Sequence, residues 1–95
     1  MTVYVDQIQN WPTSIRCFKA GSCHMSADTL EELHAFARRL GLKRSWFQEH
    51  RLLPHYDLTP ARRAKAVELG ATETTTRQRL LMVKPSLAVP TGGEE

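Results

Sequence analysis

Residues 28–41 read Asp-Thr-Leu-Glu-Glu-Leu-His-Ala-Phe-Ala-Arg-Arg-Leu-Gly, a segment that carries its own start and stop signals. Asp28 followed by Glu31 is a capping box: the Asp28 carboxylate can accept the Glu31 amide while Glu31 reaches back. Leu30, Leu33, Ala37 and Leu40 recur at the spacing of one helix face. Gly41 stands where a helix needs a left-handed residue to stop. The spacing predicts a helix over 29–40 with those four side chains turned to a sheet. At 100° per residue His34 falls about 40° from Leu30, inside the apolar arc, while Glu31, Glu32, Arg38 and Arg39 lie mostly outside it.

Toward the N-terminus, residues 22–26 (Ser-Cys-His-Met-Ser) read as a short strand, and residues 2–6 (Thr-Val-Tyr-Val-Asp) as an earlier one with Asp6 at its carboxyl end. Between them, residues 7–21 show no clean period. Trp11-Pro12 and Ala20-Gly21 are turn signals, and Ile15 to Phe18 can hold a short extended piece. Toward the C-terminus, 42–54 is a long connection in which Trp46 and Phe47 are expected to plug the core. Residues 55–58 (His-Tyr-Asp-Leu) form a short strand or extended turn. Thr59-Pro60 supplies the cap and first position of a second helix, which runs to Leu69, stops at Gly70, and has a thin face of Ala61, Ala64 and Val67. Residues 71–74 are a weak strand, and Thr75 or Thr76 caps a short third helix from Arg77 to Val83. Residues 85–95 carry two prolines, two glycines and two terminal glutamates and are expected to be a disordered tail after a single domain over 1–84. Strands alternating with helices predict an α/β fold: a small mixed or parallel sheet of three to four short strands with two to three helices packed on it.

The chain has 95 residues, long enough for one domain, and a formal charge of +3 from 13 Lys+Arg against 10 Asp+Glu. The positive residues come in pairs (Arg38-Arg39, Lys43-Arg44, Arg62-Arg63), which suits solvated helix faces and also suits phosphates. The longest apolar run is Leu80 to Val83, far short of the roughly 20 residues that cross a membrane. No secretory leader is visible, so a cytoplasmic protein with reduced Cys17 and Cys23, one of them buried, is expected. A Cys-rich zinc site lacks its second pair.

Val3-Tyr4-Val5-Asp6, Cys23-His24-Met25 leading into Ala27 to His34, Trp46-Phe47-Gln48, Pro54-His55-Tyr56-Asp57, Arg63 to Val67 and Gly70-Ala71 occur together. In combination they resemble a family of small bacterial and phage proteins known only as a domain of unknown function, over about residues 1–75. The resemblance implies no catalytic residue. It implies a shorter link between the first two strands than is present here, making Trp11 to Ala20 a local elaboration. It also implies a defence-related or host-directed role.

In sheets of this kind ligands bind beyond the carboxyl ends of the strands. Asp6, His24, His55 and Asp57 map there and are the expected catalytic residues, with Tyr56, Arg44, Trp46 and Gln48 as binding residues. Imidazoles and carboxylates suit acid/base chemistry near neutral pH, and they suit a divalent metal. The expected ligand is a phosphorylated compound, nucleotide or nucleic acid. The competing reading is a non-enzymatic protein that holds a host or viral macromolecule on its basic surface. For His34 the expectation is a core histidine, and for His50 a surface one. A metal-dependent nuclease needs three or four converging carboxylates, and only Asp6, Asp28 and Asp57 are available. A hydrolase of the Cys-His type would pair Cys23 with His55 but lacks a nucleophile elbow. No glycine-rich phosphate loop occurs.

Overall fold

The computed structural model describes residues 2–10 and 21–83. The readings of Trp11-Pro12, Ile15 to Phe18, Cys17 and the tail over 85–95 lie outside the described residues. The elements are β1 (Val3–Val5), β2 (Cys23–Ala27), α1 (Leu30–Arg39), a 3₁₀ turn (Arg44–Trp46), β3 (Tyr56–Leu58), α2 (Pro60–Glu68), β4 (Thr72–Glu73) and α3 (Thr76–Val83). The strands form one sheet in the order β3-β2-β1-β4. β1 is antiparallel to β2, β2 antiparallel to β3, and β1 parallel to β4. The fold is therefore α/β with a mixed sheet.

Cross-strand partners share a face, because side chains alternate along each strand. The register pairs Val3 with Ala27, Val5 and Tyr56 with Met25, and Cys23 with Leu58. All of these are apolar, and they meet Leu33, Phe36 and Ala37 of α1 and Ala66 of α2 in one core. The same register pairs Tyr4 with Ser26 and His24 with Asp57 on the opposite face. α3 sits over that polar face. Arg79 donates from Nε to Ser26 Oγ (2.8 Å) and from a terminal nitrogen to the Ala27 carbonyl (2.7 Å), and its guanidinium lies 4.2 Å from the Tyr4 ring centroid.

Several local expectations need correction. The α1 cap is Thr29, whose hydroxyl accepts the Glu32 amide at 3.2 Å. Asp28 instead accepts from the Thr2 amide and the Tyr4 hydroxyl, tying the start of β1 to the end of β2. Leu30 is 51% exposed, because the buried stripe runs through Leu33, Phe36 and Ala37. Gly41 follows α1 with φ 77°, as the stop signal requires. α2 begins on the expected Thr59 cap, but it buries Ala66, whereas Ala61 and Ala64 are exposed. Trp46 does not plug the core: it is 43% exposed, while Phe47 packs against the core beside His34 and Tyr56.

Candidate functional site

Alternation along β3 sends Tyr56 into the core and leaves His55 and Asp57 on the polar face. The antiparallel register sets Asp57 opposite His24. Asp6, one residue beyond β1, comes level with the start of β2, where its amide donates to the His24 carbonyl at 3.1 Å. His24 thus lies at the amino end of its strand rather than the carboxyl end expected for it, since β2 runs against both neighbours. His55 likewise stands just before β3, at its amino end, so the gathering point is the carboxyl end of β1, the amino end of β2 and the first half of β3.

Asp6 is the most constrained member, 3% exposed. Its Oδ1 accepts the His24 amide at 2.7 Å, and its Oδ2 meets His24 Nδ1 at 2.8 Å and the Thr76 hydroxyl at 2.5 Å. Its backbone carbonyl accepts Arg63 Nε at 2.7 Å, and Arg63 also reaches Glu73 at 3.2 Å. Burial pushes the Asp6 carboxyl up. The hydrogen bonds from the His24 ring, Thr76 and the His24 amide, together with the His24 charge, outweigh burial and hold it below 3.8. The hydrogen bond to Asp6 raises His24 above 6.5 against the effect of burial.

The His24 and His55 rings meet edge to face, 4.6 Å between centroids. His55 Nδ1 lies 2.8 Å from the Leu53 carbonyl, and its Nε2 lies 3.5 Å from Asp57 Oδ1. Burial lowers His55 below 6.5, more than the Leu53 bond restores. Asp57 Oδ2 accepts Gln48 Nε2 at 2.6 Å, and Gln48 is held beside His55 by a backbone bridge. One ligand atom from each of His24, His55 and Asp57 lies within 4.8 Å of the others.

Asp6, His24, His55, Asp57 and Gln48 are therefore brought together. Tyr56 is not: it is buried on the opposite face with its hydroxyl 2.8 Å from His34 Nδ1. Arg44 lies over the Phe47 ring at 4.9 Å, and Trp46 stands between Lys43 and Arg62, at 5.8 and 5.4 Å. Asp28 is at the far end of β1, so the carboxylates do not converge as a nuclease of the expected type requires. Cys23 faces the core, 1% exposed, and burial pushes its thiol up to about 12, which removes it as a nucleophile paired with His55. His50 is exposed, as expected. Arg63, Thr76 and the Leu53 carbonyl were not expected at the site. Thr76 was visible in sequence only as a helix cap, and Arg63 only as half of a basic pair.

The sheet with its helices defines a small α/β protein, with two histidines and two carboxylates gathered on the polar face of the sheet. The chain belongs to the family described as protein of unknown function (DUF4031), whose model matches residues 3–86. No curated protein and no solved structure matches it. No helix among the described residues is long and apolar enough to cross a membrane.

Proposed function

We propose that the protein binds a phosphorylated ligand or nucleic acid on the polar face of the sheet and processes it at His24, His55 and Asp57. The observation that carries this reading is the convergence of two imidazoles and a carboxylate, each held by its own partner: Asp6, the Leu53 carbonyl and Gln48. Imidazoles held this way move protons near neutral pH. Arg63 adds a cation beside Asp6. The test is an NMR titration of the histidine ring signals with mononucleotides and with a short single-stranded oligonucleotide. His24 and His55 should shift with at least one of them, and His34, on the other face, should not. Unmoved His24 and His55 signals at saturating concentrations would sink the reading.

Trp46 favours a second reading. An exposed indole flanked by two cations suits a stacked base with its phosphates, as in proteins that hold single strands without chemistry. A protein of that kind would bind and modulate a host or viral macromolecule through its basic surface. It takes first place if, in a Trp11→Phe variant, the oligonucleotide changes the fluorescence of Trp46 while His24 and His55 stay still.

A further inference from the structure

Two of the three converging side chains, His55 and Asp57, present acceptors to each other. His55 Nδ1 faces a carbonyl, which can only accept, so Nδ1 carries the hydrogen and the neutral ring has its lone pair on Nε2. That Nε2 faces Asp57 Oδ1 at 3.5 Å, acceptor against acceptor. His24 Nδ1 likewise meets the buried Asp6 carboxylate, so Nε2 is the ring atom that takes a metal once its proton is displaced. The second oxygen of Asp57 is occupied by Gln48. A phosphorylated ligand brought beside Asp57 would add a further anion, which a cation held between the three side chains would offset.

Histidines that donate one ring N–H to a carboxylate or a backbone carbonyl, beside a carboxylate that is itself hydrogen-bonded, are the outer arrangement that orients metal ligands. We infer that His24, His55 and Asp57 form a centre for a single divalent transition-metal ion, with Asp6, the Leu53 carbonyl and Gln48 holding the ligands in orientation. Bonds of about 2.0–2.1 Å in tetrahedral geometry set neighbouring donors about 3.3 Å apart. The His55–Asp57 pair at 3.5 Å already meets that spacing. The widest separation of 4.8 Å closes with a ring movement of about 1–1.5 Å, which is within side-chain adjustment. Two imidazoles and one carboxylate suit zinc, manganese(II) or iron(II), whereas calcium and magnesium prefer oxygen donors throughout. Three protein ligands leave a position for water or a phosphate oxygen.

This inference deepens the proposed function and rests on the same three side chains. Its test uses the full chain stripped with chelator and titrated calorimetrically with zinc chloride and, separately, manganese chloride. One saturable site is expected. His55→Gln and Asp57→Asn, each checked for folding by circular dichroism, should weaken it about tenfold or more. Gln48→Ala should weaken it about 10–100-fold, as loss of an orienting partner does. Glu68→Gln, on the exposed side of α2, should leave it unchanged. Manganese should broaden the His24 and His55 ring signals at lower metal-to-protein ratios than it broadens His34. Absence of a saturable site overturns the inference, and so does binding undiminished in folded His55→Gln and Asp57→Asn. Metal binding without any nucleotide response would sink the proposed function and keep the centre. Nucleotide binding without metal would do the reverse.

Discussion

Asp6 commits both carboxylate oxygens to neighbours from two other elements, and this makes it the residue on which pH acts most directly. Its folded pKa lies below 3.8, so its contribution is present above that value and lost as pH falls through the folded pKa. His24 is raised above 6.5, so its contribution is complete below 6.5 and lost as pH rises through the raised value. In metal-free protein the stability gap between wild type and Asp6→Asn, from urea melts, should be widest at about pH 5 and narrow on both sides. A gap independent of pH would mean that no charge interaction is involved. Cys23, held neutral by burial, should resist iodoacetamide at about pH 8 in folded protein and react once urea unfolds it; mass spectrometry of the Cys23 peptide reads the difference. Much of this was legible in residue types. Val3 and Val5 alternate with Tyr4 and Asp6, Cys23 and Met25 with His24 and Ser26, and Tyr56 and Leu58 with His55 and Asp57. Applied strictly, that period separates Tyr56 from its two neighbours and puts Asp6, His24, His55 and Asp57 on one face. The α1 cap was not legible to the residue, because Asp28 and Thr29 are both good caps and each has a glutamate three positions on.

Along α1, the buried stripe makes a graded prediction. Leu33→Ala should cost about 2–5 kcal/mol, since Leu33 is 1% exposed in the core, and Leu30→Ala should stay within about 0.5 kcal/mol. Thr29→Ala should cost about 1 kcal/mol through the lost cap. Urea denaturation of the three variants checks the order, and a costly Leu30→Ala beside a neutral Leu33→Ala would reverse the assigned face. The helix itself was readable because its cap, period and glycine stop agree. Leu30 misled because Phe36 belongs to the buried face and turns its centre away: at 100° per residue Leu30 falls about 70° from the middle of the arc of Leu33, Phe36 and Ala37. For α2, alanines occur at 61, 64 and 66, so composition alone could not choose the buried one. Only packing against Leu58 and Val5 in the shared core selects Ala66.

At the scale of the whole molecule, α3 is held to the sheet through polar contacts rather than through the core. Arg79 is 5% exposed and donates to Ser26 and Ala27, and burial lowers the pKa of its guanidinium from the usual value. Arg79→Ala should therefore cost about 1–3 kcal/mol, by leaving the Ser26 hydroxyl and the Ala27 carbonyl without this donor. A neutral result in urea melts would mean that water replaces the guanidinium. Sequence periodicity could not foresee this, because a buried arginine in a short helix reads as a solvated face until the partner strand is known. The α/β class was legible from the alternation of elements. The strand directions were not, because short strands leave the pairing order to the tertiary packing. The order β3-β2-β1-β4 has a further consequence for self-association. Each outer strand of a sheet is an open template that can recruit a foreign strand into fibres or swapped dimers. Here β4 is two residues long and ends in Glu73, which is held by Arg63, and β3 is met on its outer side by the Gln48 bridge to His55. Both templates are short or blocked, so this sheet offers little purchase for aggregation by strand addition.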